Sequence, residues 1–370
     1  MNEKLSKTNL MDLSLLELEE FFLTIGEKKF RARQVFRWIH IYGANNFDDM
    51  TDIAKTLRLK LKEIASIDTP VLIHEHKATD GVIKWILAVG DDGNKIETVF
   101  IPEENRGTLC ISSQVGCALL CHFCSTARQG FNRNLTTGEI VSQLWWANKR
   151  LGVNSQADKI ITNVVMMGMG EPLANYNNVI NAMQIMLNDN AYNLSKKKLT
   201  LSTSGVVPNI LRLIDDCPVA LAISLHAPND ELRTKIIPLN AKYPIHNLID
   251  SCIKYVRHAN SPKEYITFEY VMLKNINDSL EHAKELAELL KVVPCKINLI
   301  PFNPFPNSGF ECSSRNQIFR FQRILQDEGF IVTIRKTRGD DIDAACGQLV
   351  GVVNDKTKRS IKIVNILNNA

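Results

Sequence analysis

Three cysteines at a C-x3-C-x2-C spacing, Cys117, Cys121 and Cys124, constrain this chain more than any other feature. Such a loop can wrap three thiolates around one face of a metal centre. A structural zinc site takes four protein ligands, whereas three leave one coordination position open for chemistry. A [4Fe-4S] cluster usually takes four cysteines, so three leave one iron free to hold something else. The chain has nine cysteines, an odd number, and they are not spaced like a secreted disulfide framework. A cytoplasmic location is expected by default, with no spanning stretch or signal core in the sequence, and in a reducing cytoplasm clustered cysteines point to metal binding or catalysis over structural bridges.

The surrounding sequence predicts where that loop sits. Residues 1–66 read as helical. Ser14 and Glu17 form a capping box with Leu13 and Leu18 as its staple, Gly26 ends the helix, and Thr136 with Glu139 forms a second capping box ahead of the helix at 137–151. A second helix over Phe30–Tyr42 begins with a basic run interleaved with aromatics: Lys28, Lys29, Phe30, Arg31, Arg33, Phe36, Arg37 and Trp38. That run reads equally as a solvated basic face or as a nucleic-acid contact. A linker is placed near 67–70, and 71–105 is a β bridge whose strands 82–89 and 95–101 form a hairpin about the turn 91–94. Beyond residue 106, strands at 108–112, 160–167, 198–203, 219–225, 265–272 and 295–301 alternate with helices at 137–151, 175–189, 207–215, 244–259, 279–291 and 314–328. A last strand (330–335) and a tail follow. Six such units predict an α/β fold whose parallel sheet closes, fully or partly, into a barrel. In such folds chemistry sits on the loops after the strands, and the cysteine loop follows the first strand.

Composition limits the alternatives. With 370 residues, 45% hydrophobic and 23% charged, the chain reads as an ordinary globular protein with room for one large core and a smaller module. No stretch is long and apolar enough to span a bilayer, and the polar N-terminus lacks a signal core. A net charge of +4 is a mild pointer to an anionic partner.

The other strand-end loops are small and polar. Met167–Pro172 brings two glycines and Glu171, a carboxylate able to accept from an ammonium group. Leu201–Gly205, Ser224–Ala227 and Ile300–Pro306 follow later strands. Each alone is an ordinary satisfied loop, and His226 reads equally as a core histidine; together they line one concave site. Cys110 ends the first strand, and Cys346 lies in a Gly- and Asp-rich segment where a thiol is open to reaction. Zinc held by the loop with Cys110 as a fourth ligand stays open at this level. Cys217, Cys252, Cys295 and Cys312 carry no motif and read as packing residues.

Cys117-x3-Cys121-x2-Cys124, with Phe123 before the last cysteine, resembles the signature of the radical S-adenosylmethionine (SAM) enzymes. The string Gly107–Thr126 with Gly130–Leu135 is more specific, and it closely resembles the RlmN-type dual-specificity RNA methyltransferases, which methylate C2 of adenosine. Gly168–Pro172, Leu201–Gly205, Ser224–Asn229, Ile300–Pro306 and Asp343–Leu349 match that family in the same order, and the likeness covers nearly the whole chain.

The resemblance implies a partial (β/α)6 barrel over 106–370, carrying the C-terminal Cys346 loop, with residues 1–66 as an RNA-binding accessory domain and 67–105 as linker and β extension. Cys117, Cys121 and Cys124 would hold one [4Fe-4S] cluster, whose free iron binds SAM. Gly170, Glu171, Ser202, Ser224, Leu225, His226 and Asn303 would complete the SAM pocket. Cys346 would be the methyl carrier, Cys110 its resolving partner and Glu97 the general base.

Adenine C2 is electron-poor and cannot attack the methyl of SAM, whereas a thiolate can. On this scheme Cys346 takes the methyl from one SAM, and a second yields the 5′-deoxyadenosyl radical that activates the carried methyl for addition to C2. Two SAM are consumed per methylation. Glu97 removes the C2 proton, and Cys110 attacks the sulfur of Cys346, releasing the base with a transient disulfide. The implied substrates are ribosomal RNA (rRNA) of the large subunit and tRNA, with an electron donor such as flavodoxin, in a monomer without membrane attachment. The sister enzymes that methylate C8 of adenine would use the same parts, and a non-catalytic zinc or cluster RNA-binding protein is the alternative from another class.

Overall fold

The computed structural model describes residues 7–153, 159–258 and 261–357. One ten-stranded sheet dominates it. Its strands in chain order are β1 (Val71–Lys77), β2 (Ile83–Ala88), β3 (Lys95–Glu103), β4 (Arg106–Cys110), β5 (Asn163–Met166), β6 (Leu199–Thr203), β7 (Ala220–Ser224), β8 (Ile266–Met272), β9 (Cys295–Pro301) and β10 (Ile331–Ile334). They pair in sequential order from one edge to the other. From β4 to β10 every pairing is parallel, while β1 to β4 pair antiparallel. No pairing joins β1 to β10 among the described residues, so the barrel is partial. The short last strand read from the sequence is the seventh parallel strand. The bridge read as a hairpin is a three-stranded extension of the same sheet, because β3 continues past its turn to pair with β4.

The helices are α1 (Leu15–Thr24), α2 (Lys29–His40), α3 (Lys55–Ile64), α4 (Ser125–Arg128), α5 (Thr137–Arg150), α6 (Tyr176–Leu187), α7 (Val207–Asp216), α8 (Asp230–Ile236), α9 (Ile245–Arg257), α10 (Leu280–Leu290) and α11 (Arg315–Asp327). Both capping boxes form: Ser14 accepts from the Glu17 N–H and Thr136 from the Glu139 N–H, with each glutamate reaching back to its cap. A cap of this kind satisfies orphan amides that would otherwise fray the first turn. The sequence expectation misses α4, α8 and a small hairpin of Gln114–Gly116 with Phe131–Asn134. Each is too short to show a period of its own.

The N-terminal helices do not float on a linker. Leu18, Phe22, Val35, Phe36 and Ile39 join the same buried cluster as Leu144 and Trp145 of α5. The Trp145 indole donates to the Ile39 carbonyl at 3.0 Å, and Asp12 accepts from the Gly138 N–H at 2.7 Å. This packing divides the basic run. Phe36 is fully buried and unavailable to stack on a base. Arg33 pairs with Glu19 at 2.7 Å, and the Trp38 indole donates to Asp52. Lys28, Phe30 and Arg37 remain at the surface. No helix among the described residues is long and apolar enough to cross a membrane.

Candidate active site

Because β4–β10 run parallel, their carboxyl ends and following loops gather on one edge of the sheet. A cavity of about 150 Å³ opens there. Its walls include all three loop cysteines, Gly170 and Glu171 after β5, Ser202 on β6, Ser224 on β7, His226 after it, Asn303 after β9, and Cys346. Leu225 is the exception among the expected pocket residues: its side chain is wholly buried in the core, outside the lining.

The cysteine loop is suspended from Gln114, which is fully buried. Its Oε1 accepts from the Ala118 N–H and the Glu171 N–H, both at 3.0 Å, tying that loop to the turn after β5. Gly170 has φ +100°, and a Cβ there would stand 2.5 Å from the Gln114 Cβ, so only glycine fits. Glu171, 3% exposed, accepts from the Leu173 N–H at 3.1 Å and the Ser204 N–H at 2.8 Å. Burial pushes its carboxyl up, against those donors.

Burial foremost, with the neighbouring thiols added, pushes Cys117 well above its ordinary range and Cys121 up to about 12. Cys124 is raised by burial as well. The three can be thiolates together only around a positively charged centre. No grouping of three or more His, Cys, Asp and Glu among the described residues is arranged to hold a single metal ion. The three thiols line one wall of the cavity, where such a positively charged centre would sit. Cys110 does not join them: it lies at the end of β4 with Cys346 and Arg335 as its electrostatic neighbours, and burial first, then the Cys346 thiol, pushes it up to about 12.

His226 sits at φ 60° and is nearly buried. Its Nδ1 accepts from the Val271 N–H at 3.0 Å, and burial, then the Arg233 charge, lowers it to about 3. It is a neutral, oriented ring that packs edge-on against Phe123 at 4.8 Å. Asn303 donates from Nδ2 to the Cys346 carbonyl at 3.2 Å, so it holds the Cys346 segment as well as lining the cavity. The Ser125 N–H donates to the Gly347 carbonyl and the Thr126 hydroxyl to the Leu349 carbonyl, both at 2.8 Å. Cys346 is thereby strapped beside the residue that follows Cys124, although 222 positions separate the two cysteines.

Strand register explains Glu97 and Cys110. Val99 faces Lys84 across β2–β3 and Cys110 across β3–β4. Directly opposed residues share a face of the sheet, as do residues two apart on one strand. Lys84, Glu97, Val99 and Cys110 therefore share one face. Glu97 is 2% exposed, lies 3.4 Å from the Lys84 ammonium, and accepts from the Val350 N–H at 3.0 Å.

Three further residues escape sequence reasoning. Arg335, just after β10, places Nη1 4.0 Å from the Cys346 sulfur and 3.7 Å from Glu269. A thiolate on Cys346 would meet a fixed positive charge there. The strand-end rule could have found Arg335, whereas Glu269 lies within β8 and carried no signal. The third, Arg233, is fully buried on α8 and donates to the carbonyls of Leu225 (3.0 Å), Ser204 (2.7 Å) and Ser224 (3.1 Å). Each buried carbonyl left unsatisfied costs about 1–3 kcal/mol. Arg233→Met is accordingly expected to lower unfolding stability by about 3 kcal/mol or more, seen as a lower Tm with weaker SAM binding. An unchanged Tm would show that these loops hold their shape without it.

The profile of the ribosomal RNA large subunit methyltransferase N-terminal domain matches residues 8–67, and that of the radical SAM superfamily matches residues 111–290. A solved radical SAM methyltransferase from Sphaerobacter thermophilus is 43% identical, with 92% of this chain and 99% of that chain covered at a TM-score of 0.86. This chain belongs to the RlmN-type radical SAM methyltransferases. Weaker similarity extends to a domain of pyruvate-formate lyase-activating enzyme from Bacteroides vulgatus (17% identity, 37% of this chain and 81% of that chain, TM-score 0.30). It also reaches SuiB of Streptococcus suis (14% identity, 62% of this chain and 49% of that chain, TM-score 0.45). Membership in the RlmN-type family makes this a SAM-dependent methyltransferase and implies a [4Fe-4S] cluster, for which Cys117, Cys121 and Cys124 supply a fitting donor set.

Proposed function

We propose that this RlmN-type enzyme methylates C2 of adenosine in RNA: an adenosine of large-subunit rRNA in the peptidyl-transferase region, and the adenosine beside the anticodon of tRNA. The observation that carries this reading is the placement of Cys346. An exposed thiol faces the cavity of the cysteine loop, on a segment held through its main-chain groups, with a guanidinium 4.0 Å from its sulfur. A residue so placed suits a group carrier.

When bound, the cluster and SAM supply the methyl group and the hydrogen-abstracting 5′-deoxyadenosyl radical. Gly170, Glu171, Ser202, Ser224, Leu225, His226 and Asn303 form the pocket for SAM, with Leu225 buried beneath the lining. Cys346 acts as the nucleophile that carries the methyl carbon to the base. Glu97 takes the proton from C2, and its carboxylate becomes a carboxylic acid. The Cys110 thiolate then attacks the Cys346 sulfur, forming the S–S bond as the carbon–sulfur bond breaks; its electron pair stays on the departing carbon, which takes up a proton to become the methyl group on the base. Two electrons pass from the thiol pair, and external reduction of the disulfide resets the enzyme. The target adenine must leave its stack, at a cost of a few kcal/mol.

The same reading assigns residues 1–66 to RNA binding, 67–105 to a β extension that carries Glu97, and 106–370 to the catalytic core. It also takes a flavodoxin-like electron donor and a cytoplasmic monomer. The test is to incubate reconstituted enzyme with both RNAs and SAM under reducing anaerobic conditions, then analyse nucleosides by mass spectrometry. 2-Methyladenosine is expected. 8-Methyladenosine would move the chain to the C8 activity, and unmodified RNA with zinc in place of iron would sink the enzymatic reading.

A further inference from the structure

The face shared by Glu97 and Cys110 also carries Lys84, a buried cation that the reaction as proposed leaves unused. The side chains of Lys84 and Glu97 are 8% and 3% exposed. Lys84 stands 3.4 Å from Glu97 Oε1 and donates to the Asp343 carbonyl at 3.2 Å. Glu97 Oε2 accepts from the Val350 N–H at 3.0 Å. Asp343 and Val350 lie on either side of Cys346. One ion pair thus grips the carrier segment on both flanks.

We infer that Lys84 is a positioning residue that couples the charge of Glu97 to the carrier segment, so that proton uptake by Glu97 loosens the segment holding Cys346. This rests on the reading of Glu97 as base and Cys346 as carrier. The physical reason is that a buried carboxylate attracts an ammonium and an N–H far more strongly than a neutral carboxylic acid does. Once Glu97 holds the C2 proton, Lys84 loses its counter-charge and the Val350 N–H loses its ionic acceptor. Cys346 is then freer to meet Cys110 at the moment the base must be released. The charged and titratable groups facing Glu97 are Lys84 from β2, the Asp343 carboxylate from the carrier segment, and Cys110 from β4 on the same face. Burial raises the Glu97 carboxyl, Lys84 opposes that, and Asp343 adds to it. Removing Lys84 therefore makes the protonated form easier to reach.

Hydrogen exchange in the reconstituted full-length enzyme without RNA reads the coupling directly. In Lys84→Met and in Glu97→Gln, the amide of Val350 is expected to exchange about tenfold faster than in wild type. The double variant, which replaces the ion pair with neutral groups and avoids a stranded charge, should exchange no faster than either single variant. Iron content in each variant reports that the fold is intact. In RNA methylation, Lys84→Met should move the acidic limb of the pH profile upward by about one unit, with activity recovered at higher pH. Wild-type protection of Val350 in both single variants would overturn the coupling, as would an activity loss in Lys84→Met that is equal at every pH. Full methylation by Glu97→Gln would instead remove the base assignment and the proton trigger with it, leaving the exchange rates alone to decide whether the strap exists.

Discussion

Cys346→Ala is expected to reduce RNA methylation to background, a loss of about three orders of magnitude or more, while Cys110→Ala is expected to leave RNA covalently attached to the protein. The structure makes the first result readable. Bonds from Lys84, Glu97, Ser125, Thr126 and Asn303 hold the carrier segment, and each ends on one of its main-chain groups. These bonds do not use the sulfur, which meets only the Arg335 guanidinium at 4.0 Å, so alanine at 346 should leave the segment in place and remove the carrier and that one contact. Cys110 ends β4 and feels the Cys346 thiol electrostatically, and the proposed mechanism makes it the resolving thiol. Without it, the bond between Cys346 and the base has no thiol to break it. A denaturing gel with labelled RNA checks the adduct, and nucleoside mass spectrometry checks the product. Wild-type methylation by Cys346→Ala would sink the carrier mechanism.

Gly170→Ala is expected to abolish SAM binding and to destabilise the fold. The backbone at Gly170 has φ +100°, a region that costs a residue with a Cβ about 1–3 kcal/mol. The added carbon would also meet Gln114 Cβ at 2.5 Å and its main-chain nitrogen at 2.8 Å. Gln114 cannot yield: its Oε1 accepts from two main-chain N–H groups, and its Nε2 donates to Asn134 at 2.8 Å. Overpacking of this kind adds about 1–3 kcal/mol. The strain falls on the turn joining the cysteine loop to Glu171, so calorimetry should show a lower Tm and equilibrium dialysis a loss of SAM binding. Retention of both at wild-type levels would show that the turn can open without consequence.

The legible parts of this protein are local ones. The cysteine loop, the glycines before Glu171 and the two capping boxes each act over a few residues, and each is found where the sequence places it. The parallel strands were legible too, because buried strands read as apolar runs between turns. What escaped was set by register and by long reach. α8 is too short to announce itself, yet it delivers Arg233 to three strand-end carbonyls. Phe36 stands within the basic, aromatic run, yet it packs into the core on the apolar face it shares with Val35 and Ile39. Lys84 read as one residue of a β-rich run, and only pairing of β2 with β3 and β3 with β4 sets it on the face of Glu97 and Cys110.

Sequence by itself determined the groups available for chemistry in this protein: three closely spaced thiols, small polar loops after parallel strands, and two further cysteines at 110 and 346. Tertiary structure decided which groups control that chemistry. It set Arg335 beside Cys346, Lys84 against Glu97, and the carrier segment against the residues that follow Cys124. Motifs are legible because neighbours in sequence must be neighbours in space. The pairings that tune them join residues as much as 259 positions apart, and only the register of the folded sheet specifies those.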